Sequence, residues 1–206
     1  MKKVGIIGGS GYTGGELIRI LLQHPALEIE FVYSTTRAGK AVSSAHPDLL
    51  GSTELLFTGT VTPDVDVLYL CLGHGKSRDF LSKHRFSDST LIVDLGNDFR
   101  LEEGCEFQGK SFIYGLPELQ KERIEKATAI ANPGCFATAI QLALLPLAKN
   151  KNYTEAIHIN ATTGSTGAGV SLSPTSHFSW RNNNLSWYKP FTHQHIGEIH
   201  RTLNQL

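Results

Sequence analysis

Between residues 3 and 149, short apolar runs alternate with longer stretches whose apolar residues recur at helical spacing. Lys3 to Gly8 is apolar, rich in β-branched residues and closed by glycine, as a buried strand would be. Leu27 to Tyr33 predicts a second strand, Val65 to Leu72 a third, Leu91 to Leu95 a fourth and Ala127 to Ile130 a short fifth. Helical patterning covers Glu16 to Leu22, Ser77 to His84 and Cys135 to Lys149, the last carrying Ile140, Leu144, Leu145 and Ala148 at helical intervals. Tyr114-Gly115-Leu116-Pro117-Glu118-Leu119 reads as a turn into a further helix. Such alternation implies an α/β protein with a Rossmann-type, doubly wound parallel sheet. Past residue 150 the pattern changes. Glu155 to Thr163 alternates Ile157, Ile159 and Ala161 with polar residues, predicting a strand with one wet face. A Gly/Ser/Thr-rich stretch, Thr162 to Ser173, follows, and Ile196, Ile199 and Leu203 predict a helix starting near His195. The expected division is residues 1–133 for the doubly wound domain and 134–206 for part of an α+β domain.

The turn after the first strand is Gly8-Gly9-Ser10-Gly11-Tyr12-Thr13-Gly14-Gly15. Gly9, Gly11 and Gly14 satisfy the dinucleotide-binding spacing, and Gly8, Gly11 and Gly14 a variant of it. Glycines there keep the turn tight and let backbone N–H groups approach a pyrophosphate at the helix start. The plainer reading is a glycine-rich turn without nucleotide. An NAD site usually ends its second strand in an acidic residue. Here the chain continues Ser34-Thr35-Thr36-Arg37-Ala38-Gly39-Lys40, hydroxyls and cations that suit a 2′-phosphate and favour NADP; otherwise these are solvated loop charges. Gly73-His74-Gly75-Lys76-Ser77, after the third strand, stands where the nicotinamide half of such a cofactor usually lies. Arg100, in Gly96-Asn97-Asp98-Phe99-Arg100-Leu101, either clamps an anionic substrate through two parallel hydrogen bonds or pairs with Asp98 or Asp94.

Composition narrows the class. The 206 residues allow one good core or two small domains, and Lys+Arg balances Asp+Glu at 19 each. No basic run or transmembrane-length apolar run occurs, which excludes nucleic acid and membrane as main partners. Three cysteines without paired spacing suggest a reducing compartment, the cytoplasm. Cys71 lies in a strand-like run and Cys105 in a polar stretch. Cys135 differs, because Ala131-Asn132-Pro133-Gly134-Cys135-Phe136-Ala137-Thr138 reads as strand end, tight turn and helix start. A helix N-terminus favours negative charge, and a thiolate there is a nucleophile; the alternative is a small buried hydrophobe. His193, His195 and Glu198 crowd into six residues. They allow a metal site, a solvated helix start, or a catalytic His195 serving Cys135 with Glu198 one turn on.

Taken together, Gly8-Gly9-Ser10-Gly11-Tyr12-Thr13-Gly14, Asp98-Phe99-Arg100, Tyr114-Gly115-Leu116-Pro117-Glu118, Asn132-Pro133-Gly134-Cys135 and His193-Gln194-His195-Ile196-Gly197-Glu198-Ile199 resemble the N-acetyl-gamma-glutamyl-phosphate reductase family over the whole chain. Aspartate-semialdehyde dehydrogenase shares its chemistry and fold plan. The resemblance implies an NADP-dependent acyl-phosphate reductase of arginine biosynthesis, acting on a small molecule as a homo-oligomer, dimer or tetramer. It implies Cys135 as nucleophile, His195 as acid/base and Glu198 beside it, with no metal. Gly8, Gly9, Ser10, Gly11, Tyr12, Thr13, Gly14, Ser34, Arg37 and Gly73 are then the cofactor contacts, and Arg100, Asn132, His193 and Ser165 the substrate contacts. The chain departs from the family in having Gln194 where Arg is common, and in the wording of the Thr163 to Gly169 loop. Both flank the substrate, so an N-succinyl relative of the N-acetyl substrate is the alternative, and a non-catalytic dinucleotide-binding protein the other. Family members also continue beyond the His195 helix, which implies a catalytic domain incomplete at its C-terminus.

Overall fold

The computed structural model describes residues 1–150 and 156–204. The chain divides into two compact units, residues 1–133 and 134–206.

The first unit begins with β1 (Lys2–Ile7), α1 (Tyr12–Leu22), β2 (Leu27–Tyr33), β3 (Phe57–Thr58) and β4 (Val67–Leu70). It continues with α2 (Ser77–Lys83), β5 (Leu91–Asp94), a small hairpin of β6 (Glu106–Phe107) and β7 (Lys110–Ser111), β8 (Ile113–Tyr114), α3 (Pro117–Glu125) and β9 (Ala129–Ala131). Seven strands form one sheet in the order β3-β2-β1-β4-β5-β9-β8, every neighbouring pair parallel. Each return between parallel strands needs a crossover, and side chains alternate between the two faces. Val4 and Ile6 of β1 therefore join one core with Ile18, Val32, Val42, Leu49 and Phe57. Ile7 joins the other with Leu68, Leu70, Phe80, Ile92, Phe99 and Phe112. Apolar residues on both faces make the run near-continuous in sequence, as buried parallel strands require. Cys105 is half-buried against the second of these cores, and Cys71 lies just past the end of β4.

At the C-terminal end of β5, the fully buried Asp94 accepts from Ser77 Oγ at 2.5 Å and from the Gly96 N–H at 3.1 Å. Burial, opposed by those two hydrogen bonds, pushes its pKa up to about 6; Asp98 pushes the same way and Arg100 the other. A carboxyl whose folded value lies above its unfolded value binds protons more readily when native. Its contribution is present at low pH and is lost as pH rises through the folded value. Relative to wild type, Asp94→Asn is therefore expected to gain roughly 3 kcal/mol at most between about pH 4 and pH 7. Urea unfolding of both proteins across that range checks it; parallel curves would refute it.

The second unit contains α4 (Cys135–Lys149), α5 (Phe178–Arg181) and α6 (His195–Leu203), with single 3₁₀ turns at Ser165–Ala168 and Pro174–Ser176. On α6, His195, Glu198, Ile199 and Thr202 are buried, one stripe at helical spacing, and α6 packs on α4. The buried residues of α4 are Ala137, Gln141 and Ala148, while Leu142 and Leu147 are exposed. Pro146 sits inside α4. The strand predicted over 155–163 is a correction. Residue 155 lies outside the described residues, and 156–163 form no strand. A strand persists only when another backbone meets its N–H and C=O groups, and the described residues of this unit contain no other strand to pair with it. No helix among the described residues is long and apolar enough to cross a membrane.

Candidate active site

Two groups of candidate residues form, one in each unit. In the first unit the turn from β1 to α1 is built as a cradle. Gly8 has φ +78°, a left-handed value that favours glycine, and its carbonyl accepts from the Gly11 N–H at 3.2 Å. A Cβ on Gly14 would lie 2.6 Å from the Gly9 Cα and 2.8 Å from the Gly8 carbonyl oxygen, so the helix starts hard against the turn. Gly11 caps α1 with no side-chain hydrogen bond, and the first turn holds no acid. Its opening N–H groups and partial positive charge are thus the donor set a pyrophosphate takes. The cradle fits a dinucleotide.

Ser10 Oγ and Ser34 Oγ lie 3.2 Å apart, joining the turn to the end of β2. Arg37 is half-buried and donates from Nη1 to the Ser44 carbonyl at 3.1 Å. Tyr12 and Thr13 are exposed on the first turn of α1, and Gly73 is exposed just past β4. Arg100 is 3% exposed and donates from Nη2 to the Leu95 carbonyl at 2.9 Å, bracing the turn after β5. The Asn132 N–H donates to the Asp94 carbonyl at 2.8 Å and its side-chain amide to the Pro133 carbonyl at 3.2 Å.

In the second unit Cys135, His193, His195 and Glu198 gather around Gly134. Gly134 is the N-cap of α4, and the exposed Cys135 is its first residue. The buried Glu198 accepts the Gly134 N–H on Oε2 at 2.9 Å, so one carboxylate oxygen holds the start of the helix. Its Oε1 is 3.9 Å from His195 Nε2, too long for a hydrogen bond. The His195 ring packs directly on Gly134; a Cβ there would meet the ring, its Cδ2 at 2.5 Å. His193 accepts the His195 N–H on Nδ1 at 3.3 Å, and its ring contacts those of Phe136, Tyr188 and His195 at 5.7, 5.6 and 4.5 Å. An accepting Nδ1 places the proton on Nε2. Burial and Lys189 hold the His193 pKa below its usual value, against the opposing pull of Glu198, so the ring is neutral near neutral pH. Among the described residues no three His, Cys, Asp or Glu side chains stand where they could share a metal ion. Ser165 is exposed at the start of its 3₁₀ turn and belongs to neither cluster by any described contact.

Tyr188 is a site residue that periodicity does not reveal. Its ring meets that of His193 at 5.6 Å, and burial first, with Cys135 second, raises its pKa. Left-handed Lys189 and Phe191, φ 44° and 58°, bend the chain between Tyr188 and His193. The signal in sequence was an aromatic beside a candidate histidine.

Residues 3–127 match the family model described as semialdehyde dehydrogenase, NAD binding domain, and residues 135–206 the one described as semialdehyde dehydrogenase, dimerisation domain. The chain belongs to the semialdehyde dehydrogenase family. It is 65% identical over 206 residues to the N-acetyl-gamma-glutamyl-phosphate reductase of Flavobacterium johnsoniae, covering all of this chain and 63% of that one. It is 56% identical to the protein of the same name from Christiangramia forsetii, with the same coverage. The chain thus spans about 63% of the length of the curated relatives it matches. Among solved structures, aspartate semialdehyde dehydrogenase II from Vibrio cholerae shares the fold at 18% identity with a TM-score of 0.57, over 82% of this chain and 48% of that one. The Candida albicans aspartate semialdehyde dehydrogenase does so at 18% and 0.52, over 73% and 47%.

Proposed function

We propose that the protein is an NADP-dependent acyl-phosphate reductase that converts N-acetyl-L-glutamyl 5-phosphate to N-acetyl-L-glutamate 5-semialdehyde and phosphate, a step of arginine biosynthesis. One observation carries the reading: an exposed thiol on the first residue of α4, with the His195 ring packed on the residue before it. The relatives named for this reaction support it. On this reading residues 1–133 hold the cofactor and residues 134–206 carry the covalent chemistry. The Cys135 thiolate attacks the acyl carbon, a C–S bond forms, and phosphate leaves with the C–O bond electrons, giving a thioester. NADPH, which the Gly8 to Gly14 turn would hold, would supply the hydride that takes this thioester to a thiohemiacetal. Collapse of the thiohemiacetal on Cys135 releases the aldehyde and returns the thiolate, with His195 handling the hydroxyl proton. Gly8 to Gly14 and Ser34 serve the cofactor's phosphates and ribose, Arg37 its 2′-phosphate, and Gly73 its nicotinamide half. His193, Asn132 and Ser165 serve the substrate. Arg100 belongs to that set by its sequence motif, although its burial favours bracing the loop. Three free cysteines support a cytoplasmic setting, and the dimerisation-domain match supports a homo-oligomer.

The test is phosphate-dependent reduction of NADP and of NAD with N-acetyl- and N-succinyl-glutamate semialdehyde, on the full chain. Turnover is expected with the N-acetyl aldehyde and NADP. Turnover with the N-succinyl aldehyde instead would transfer the assignment to that substrate. A preference for NAD would remove the 2′-phosphate role of Arg37. No turnover with either aldehyde, in a protein that binds NADP, would leave a dinucleotide-binding protein.

A further inference from the structure

The reaction proposed above makes no use of His46, yet this residue is 5% exposed and touches the glycine turn. Its Nε2 lies 2.8 Å from the Gly9 carbonyl oxygen. A carbonyl only accepts, so Nε2 is the donor and carries the proton. The ring also fills the space above α1: a Cβ on Gly15 would lie 2.5 Å from its Cε1 and 2.6 Å from its Nδ1. The segment bearing His46 is itself fixed. Two 3₁₀ turns, Val42–Ser44 and Pro47–Leu49, bury Val42 and Leu49 in the core, and the His46 N–H donates to the Val42 carbonyl at 3.1 Å. Asp48 takes both Arg19 Nε and Nη2, at 2.6 and 2.8 Å, tying the segment to α1.

The Gly9–Ser10 peptide is trans and planar, so its C=O and N–H point in opposite directions. With the Gly9 oxygen turned to His46, the Ser10 N–H must point away from His46. We infer that His46 is a positioning residue for the anion-binding turn: by holding the Gly9 carbonyl it aims the Ser10 N–H at the pyrophosphate of the dinucleotide. The inference rests on the dinucleotide reading of the glycine turn. The same segment presents the Ser44 carbonyl to Arg37, so one rigid piece of chain sets the turn and the candidate 2′-phosphate cation together.

The test compares two ligands on the purified full chain by calorimetry. NADP engages the turn through its pyrophosphate. Adenosine 2′-monophosphate carries the ribose and its 2′-phosphate but no pyrophosphate to take the Ser10 N–H. His46→Leu is expected to weaken NADP about tenfold, the scale of one lost orienting hydrogen bond, and to leave adenosine 2′-monophosphate unchanged. His46→Gln retains an N–H donor and should recover most of the loss. Gly15→Ala leaves His46 in the chain but pushes its ring off the turn, and should reproduce the NADP-selective loss even where His46→Leu fails to fold. Unchanged NADP affinity in a folded His46→Leu protein, or in Gly15→Ala, overturns the inference. So does an equal loss for both ligands, which would mark a general structural defect. Failure of the wild type to bind any dinucleotide would overturn the underlying reading instead, and the two results are distinct.

Discussion

Cys135→Ser is expected to lower turnover by at least about 10⁴-fold, the scale seen when a covalent nucleophile is removed, while leaving NADP affinity unchanged. The two effects separate because Cys135 heads α4 in the second unit, whereas the glycine cradle is complete within the first. A serine hydroxyl near neutral pH is a poor nucleophile without a strong base, so the substitution removes the chemistry and little else. The other two cysteines do not compete. Burial, helped by the charge of Asp94, pushes the Cys71 thiol up to about 12, and Cys105 is half-buried against the core. Brief treatment with iodoacetamide should therefore label the exposed Cys135 first, and that label should abolish turnover in proportion. Mass spectrometry of the labelled peptides and steady-state kinetics check both. A serine variant retaining more than a small fraction of wild-type turnover would end the covalent mechanism.

His195→Ala is expected to cost on the order of 10²–10⁴ in turnover, as loss of a positioned acid/base does. Gly134→Ala should come close to it without touching the histidine, because the added methyl would occupy the place of the His195 ring. Glu198→Gln should cost less. A glutamine oxygen can still accept the Gly134 N–H, and the present carboxylate stands 3.9 Å from His195 Nε2, so it holds the helix start more than it holds the ring. Circular dichroism separates these losses from unfolding, and the pH profile of kcat should lose its histidine limb in His195→Ala alone. A near-wild-type His195→Ala protein would remove His195 from the mechanism.

The parallel sheet was legible because strands buried on both faces leave continuous apolar runs such as Val67–Leu70, while Leu27–Tyr33 alternates apolar residues with the exposed Glu28 and Glu30 and its limits agree with β2 residue for residue. The cradle was legible because tight turns leave glycines in the sequence, and the start of α4 because Asn132-Pro133-Gly134 ends what precedes it. The two-residue strands β3 and β8 were not, since two residues carry no period and are strands only by virtue of their neighbours in the sheet. The run Ile157, Ile159, Ala161 shows the converse: alternation states which face would be buried, and a strand still requires a partner. Cys135, His195 and Glu198 could be named from the chain as separate candidates. Only tertiary packing decided that Glu198 bonds the Gly134 N–H, that His195 lies on Gly134, and that the Tyr188 ring meets His193. His46 left no trace in the pattern, because its place under the glycine turn follows from a fold across 37 residues that no local period encodes.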